Sequence, residues 1–189
     1  MRIVAGSLRG RRLVAPEGME VRPTGARARE AVFNILEHGH LGPGGGSALV
    51  DARVLDGFAG TGAMGLEALS RGAASAAFLD SDRRALAALR ANIAACGVGA
   101  RALVMPADIR VPPQAPMACD LVFLDPPYHE GLAESALAAL AKAGWFAPEA
   151  LICLELGPED TVPETAALAV LDERRYGKAR VVFLRNGAG

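Results

Sequence analysis

The chain has 189 residues, enough for one compact domain with a small appendage and for burying most of its apolar surface. Hydrophobic residues make up 51 % and aromatic ones 5 %, so an Ala-, Leu- and Val-rich core is expected, and no run approaches the roughly 20 apolar residues of a membrane helix. The net charge of −1 hides seven Arg against three Glu in residues 1–34 on an otherwise acidic chain. That imbalance suits a polyanion-facing surface or a merely solvated Arg-rich face.

In chain order, residues 1–6 hold too few apolar side chains for a signal peptide, and a cytoplasmic location is expected. Residues 3–14 read as a hairpin, two short strands around a Gly-bounded turn. After Arg22-Pro23, Thr24 can cap a helix over 26–36 whose apolar face is Val32, Phe33, Ile35 and Leu36. Residues 38–47 are Gly-rich, contain Pro43 and read as a linker, dividing an N-terminal unit (1–46) from the main domain (47–189). His38 and His40 read there as loop histidines rather than metal ligands. Cys96, Cys119 and Cys153 lack metal-type spacing and read as reduced core thiols, so no metal is expected.

From residue 52 the pattern alternates. Strands are expected at 54–56, 76–80, 102–105, 121–124 and 151–156, and helices at 63–70, 82–96 and 132–143, with Gly97 stopping the second. This is an α/β order, with a mainly parallel sheet covered by helices on both faces. Two β-like runs, 168–175 and 180–184, flank Tyr176-Gly177-Lys178 and add an antiparallel hairpin at one edge. Phe33 and Trp145 are expected in the core.

Two motifs carry chemistry. Asp56-Gly57-Phe58-Ala59-Gly60-Thr61-Gly62 continues to Gly65, giving GxGxxG at 60–65, and Asp80 ends the next strand, as in a dinucleotide fingerprint. Here, however, Asp56 ends the strand and three residues intervene before Gly60. A carboxylate at that place repels pyrophosphate, which would otherwise sit at the helix N-terminus, but suits an ammonium and a sulfonium. S-adenosylmethionine is therefore favoured over a dinucleotide or a purely structural turn. Asp80 can accept from both ribose hydroxyls, and Asp108 from an adenine amine.

The second motif, Asp125-Pro126-Pro127-Tyr128, follows the apolar run 121–124. The prolines stiffen the turn and leave the Asp125 and Pro126 carbonyls without a proline donor beside them. Such a corner can hold a planar, amine-bearing group, with Tyr128 stacking on it; the bland reading is a strand-ending turn with an Asp cap. Arg9, Arg11, Arg12, Arg22, Arg27 and Arg29 are candidate phosphate contacts. Alternatively, Arg22 and Arg29 pair with Glu30 and fasten the N-terminal helix to the body. Arg174, Arg175, Lys178 and Arg180 form a second basic edge or a solvated hairpin.

With these motifs in view, the chain closely resembles the bacterial family of small-subunit ribosomal RNA guanine-N2 methyltransferases (RsmD type). The resemblance rests on residues 2–6, 9–13, 22–24, Arg27, Arg29-Glu30, 33–36, 55–62, 65–72 and 123–128. It implies a class I methyltransferase Rossmann-like fold with a seven-stranded sheet, S-adenosylmethionine as donor, and a guanine of 16S rRNA as acceptor during small-subunit assembly. A monomer is expected, partnered by 16S rRNA or the small-subunit particle. The implied donor residues are Asp56, Gly57, Phe58, Ala59, Gly60, Gly62, Asp80, Ser81, Asp108 and Ile109. The implied catalytic corner is Asp125, Pro126, Pro127 and Tyr128, and Thr24 joins the arginines above on the RNA side. Asp80 departs from the Glu of many relatives and Tyr128 from their Phe. Competing readings are a DNA adenine-N6 or cytosine-N4 methyltransferase, for which the chain has no sizeable target-recognition insert, a non-catalytic RNA-binding assembly factor that keeps the pocket, and a nicotinamide dehydrogenase.

Overall fold

In the computed structural model the described residues are 1–16, 23–127, 131–163 and 167–187, with 23–26 described by their backbone alone. Helix α1 (Pro23–His38) is followed by β1 (Arg53–Gly57), α2 (Ala63–Ser70), β2 (Ser75–Asp80), α3 (Arg83–Cys96) and β3 (Ala102–Pro106). Then come β4 (Cys119–Leu124), α4 (Leu132–Lys142), β5 (Phe146–Leu156), β6 (Leu168–Tyr176) and β7 (Ala179–Asn186). The seven strands lie in the order β3-β2-β1-β4-β5-β7-β6, parallel except for β7, which runs antiparallel to both neighbours. The inner strands are buried on both faces, which is why they read as unbroken apolar runs.

Local signals fix most boundaries. Asp82 caps α3, accepting from Arg84 N–H at 2.6 Å and Ala85 N–H at 3.2 Å, and Gly97 ends it at φ +70°. Helix α1 begins at Pro23, three residues before the expected start, because proline presets the helical φ and its missing N–H costs nothing in the first turn. Thr24 therefore lies within that first turn rather than at the position before it. Strand β5 starts at Phe146 rather than at 151. Phe146 pairs with Cys119, the register shifts, and Leu121 then faces Leu151. Pro148 and Glu149 (φ +59°) sit in the irregular stretch and break the alternation a strand would show.

The N-terminal hairpin is minimal. One antiparallel bridge joins Arg2 and Arg12, with Ile3 N–H donating to Arg11 O at 3.0 Å and Gly10 N–H to Ile3 O at 2.9 Å. Its turn lies against α2: Ser7 N–H donates to Ser70 O at 2.8 Å, and a Cβ on Gly6 (φ +79°) would collide with that carbonyl. The stretch after α1 is an ordered connection with a 3-10 turn at Pro43–Gly45, tied back by Ala48 N–H to Leu36 O at 2.8 Å. A ring nitrogen of His40 lies 2.6 Å from Gly45 O.

Ile3, Leu13, Val32, Phe33, Leu36 and Leu49 share one core with Val54, Phe123 and Phe183 of the sheet. A second core on the opposite face contains Leu55, Leu79, Val122, Trp145, Leu154 and Val182. Phe33 and Trp145 are fully buried, as expected, and the three cysteines are free and buried. The Phe33 and Phe123 rings lie 5.5 Å apart, so α1 grips β4 two residues before Asp125. Phe33→Ala should cost about 3–5 kcal/mol, measured by urea unfolding. Among the described residues no helix is long and apolar enough to cross a membrane, and no group of His, Cys, Asp and Glu could hold a metal.

Candidate functional site

The strand order reverses between β1 and β4, and a cleft of about 1420 Å³ opens at the carboxyl ends of these central strands, where open α/β sheets bind ligands. One half of the cleft is built by the loop after β1. Phe58 holds φ +58°, a left-handed conformation that costs a non-glycine residue energy and is retained mainly where surrounding structure imposes it. Asp56 is only 3 % exposed, and its Oδ2 accepts the Gly65 N–H at 2.8 Å. Burial pushes its carboxyl up to about 8; the Gly65 N–H opposes this, while the carboxylates of Asp125 and Asp80 add to it. A buried carboxyl beside two further carboxylates is a seat for a cation. That is the fit expected for a ligand carrying ammonium and sulfonium groups.

Asp80 clamps the same loop. Its Oδ2 accepts Gly60 N–H at 2.7 Å and its Oδ1 accepts Asp82 N–H at 2.8 Å, and each oxygen keeps a lone pair for a ribose hydroxyl. Phe58, Ala59, Gly60, Ser81, Asp108 and Ile109 line the cleft with it. Gly57 and Gly62 do not; they shape the backbone behind it. A Cβ on Gly57 would lie 2.6 Å from both Ile109 Cδ1 and Leu124 Cδ2, and one on Gly62 (φ +79°) would meet Leu89. Asp108 is gripped by Arg110, with Nη2 to Oδ2 at 2.6 Å and Nε to Oδ1 at 3.0 Å. These bonds hold its carboxyl down at about 2. An adenine amine would therefore share a carboxylate already paired. Arg110, Thr61 and Met64 are cleft residues that the sequence did not single out.

The other half is built around the turn after β4. Asp125 and Pro127 are exposed, Pro126 is buried, and Tyr128 lies outside the described residues. Val32 and Arg29 of α1, Cys153 and Glu155 of β5, and Val181 of β7 also line the cleft. Burial raises the Cys153 thiol well above its ordinary range.

Of the candidate phosphate contacts, Arg9, Arg11, Arg12 and Arg27 are exposed, and Arg22 and the Thr24 side chain lie outside the described residues. Arg29 is 9 % exposed and donates to Arg2 O at 3.2 Å and Met1 Sδ at 3.0 Å. Burial lowers its pKa, against the charges of Glu67 and Glu30. The structure thus gives Arg29 a fastening position rather than a surface one. The larger clamp is Glu67, 1 % exposed in α2. It accepts Val4 N–H at 2.8 Å and Ala5 N–H at 3.0 Å and pairs with Arg71 at 2.9 Å. Arg71 reaches Glu37 of α1 at 2.6 Å and lies 5.1 Å from the centre of the Phe33 ring. Its sequence signal is a Glu within an apolar helix and an Arg four residues on, at the helix's C-terminal cap. On the β6–β7 hairpin, Arg174 pairs with Asp172 at 2.8 Å, and Arg180 and Arg175 with Glu173 at 2.9 and 3.6 Å. That edge is a paired, solvated hairpin rather than a basic strip, although Lys178 reaches the cleft.

Sheet order, glycine loop and acidic strand ends together define the class I methyltransferase Rossmann-like fold. The family model described as "Conserved hypothetical protein 95" matches residues 1–185, and the chain belongs to this family. It is similar to the "Ribosomal RNA small subunit methyltransferase D" of Escherichia coli (strain K12), 39 % identical over 167 residues that span 88 % of this chain and 80 % of the relative. The protein of that name from Haemophilus influenzae is 34 % identical over 182 residues, 94 % of this chain and 89 % of the relative. Among solved structures, a putative methyltransferase, yhhF, from Escherichia coli superposes with a TM-score of 0.85 at 36 % identity, covering 100 % of this chain and 99 % of that one. The resemblance read from the motifs is borne out.

Proposed function

We propose that this S-adenosylmethionine-dependent rRNA methyltransferase modifies the exocyclic N2 amine of a guanine in 16S rRNA within an assembling small subunit. The observation that carries the reading is the pairing, in one cleft, of a buried cation seat with a stiff amine-binding corner: Asp56 on β1, and Asp125-Pro126-Pro127 after the adjacent β4. The names of the relatives supply rRNA as the class of acceptor.

S-adenosylmethionine, when bound, supplies a methyl group on a positively charged sulfur. Asp56 would hold its ammonium, Asp80 its ribose, and Phe58 and Ile109 its adenine, with Ala59, Gly60 and Ser81 along the backbone path and Asp108 at the rim. Gly57 and Gly62 permit that path. The Asp125 carboxylate and Pro126 carbonyl accept the two N–H bonds of the target amine and aim its lone pair, and such orientation is worth several kcal/mol. As nitrogen gains positive charge, the Asp125 carboxylate stabilises it. Pro127 stiffens the corner, and Tyr128 would stack on the base at about 1–3 kcal/mol. The guanine must leave its stack to enter, so a looped-out base is the favoured substrate.

Residues 1–46 would form the RNA-facing unit and 47–189 the catalytic one. Arg9, Arg11, Arg12 and Arg27, with Arg22 and Thr24, would position phosphates, while Arg29 holds the unit down. Changing Arg9, Arg11 and Arg12 together to Gln should reduce the salt slope of log K for RNA by about 2–3, with donor affinity unchanged. We also place the protein in the cytoplasm as a monomer. Labelled methyl transfer tests the reading: small subunits lacking the mark should be labelled and plasmid DNA should not. Label in DNA alone contradicts it.

A further inference from the structure

We propose that Glu155 is a specificity-determining residue, the acceptor for the N1–H of the target purine, and that it selects guanine over purines whose N1 carries no proton. This rests on the guanine reading above. The placement follows from register. Strand β5 lies parallel beside β4 with Leu154 opposite Leu124, so Asp125 and Glu155 are the next residues along two neighbouring strands. Side chains alternate along β5: Leu154 and Leu156 enter the core on one face, while Cys153 belongs to the other core, as does Phe123 on β4. Glu155 and Asp125 therefore project toward the same face. Both line the cleft, Glu155 only half-buried and paired across β7 with Val181.

Neighbouring strands stand about 4.8 Å apart, so these two carboxylates bracket a short stretch of ligand edge. On guanine the N2 amine and the N1–H are adjacent donors on one edge. With Asp125 on the amine, the neighbouring acceptor meets N1–H. Adenine and 2-aminopurine present a lone pair at N1, which a carboxylate repels. A site built around such a donor rejects analogues lacking it far more strongly than an apolar pocket does.

The test uses the full-length protein and the RNA fragment it methylates, made with either guanine or 2-aminopurine at the modified position. Both bases carry the 2-amino group; only guanine has N1–H. The wild type should favour guanine by about 10⁴-fold in kcat/KM, the scale of a site that hydrogen-bonds a donor its competitor lacks. Glu155→Ala should shrink that preference at least about tenfold, and Glu155→Gln, whose amide can turn either its oxygen to N1–H or its NH2 to a bare N1, should shrink it as well. Donor binding by both variants, followed by calorimetry, reports that they are folded. Equal losses on both substrates, with the ratio unchanged in either variant, would overturn the assignment of Glu155 and leave the guanine reading standing. A wild type that methylates neither fragment at the 2-amino group sinks the guanine reading itself.

Discussion

Asp125→Ala is expected to lower kcat by about 10²–10³-fold, the usual effect of removing one group aimed at developing charge. Donor affinity should change only a few-fold, because the proposed partner of Asp125 is the target base and its charge is a smaller influence on Asp56 than burial is. Asp125→Asn keeps an acceptor oxygen for the amine and loses the charge, so it should fall between alanine and wild type. Single-turnover rates at saturating donor measure this. A variant whose rate matches wild type would remove the corner from the chemistry.

Asp56 gives the second large effect, and pH exposes it. Its carboxyl sits at about 8 in the donor-free protein against an ordinary value near 4, raised first by burial. A cationic ligand favours the ionised form, so binding near neutral pH releases a proton and donor affinity rises as pH climbs toward 8. The rise stops around pH 8, where Asp56 is half ionised, because the donor's own α-amino group, with an ordinary pKa of about 7.7–8.0, loses its proton over the same range. The donor-free protein behaves in the opposite sense. Between about pH 4 and 8 the folded state holds a proton that the unfolded chain has released, so this group's contribution to stability falls as pH rises. Thermal melts should show that decline without donor, and added donor should offset it most at the alkaline end. Asp56→Asn should flatten both profiles and weaken donor binding by about 10–100-fold, the worth of one charge-assisted bond.

The βα alternation was legible because each inner strand is buried on both faces and each helix carries its own stop signals, such as Asp82 and Gly97 around α3. Asp56, Asp80 and Asp125 were legible because strand ends converge at one edge of a parallel sheet, so position along the chain already places them together. What was hidden depends on contacts between distant segments. No local pattern shows that Glu67 takes two N–H groups from residues 4 and 5. None shows that Arg29 turns inward to Arg2 O and Met1, although Arg and Glu counts alone had suggested a polyanion surface. Asp108 looked open because Arg110, two residues on, can equally point to solvent. The first residues of β5 were missed for a different reason: Pro148 and the left-handed Glu149 interrupt its alternation.

The most direct measurement is nucleoside mass spectrometry of 16S rRNA taken from cells lacking this protein, before and after incubation of their small subunits with the purified enzyme and S-adenosylmethionine. The account predicts the appearance of N2-methylguanosine at a single position, abolished by Asp125→Ala. Methylation of another nucleoside, or of no RNA at all, would contradict it.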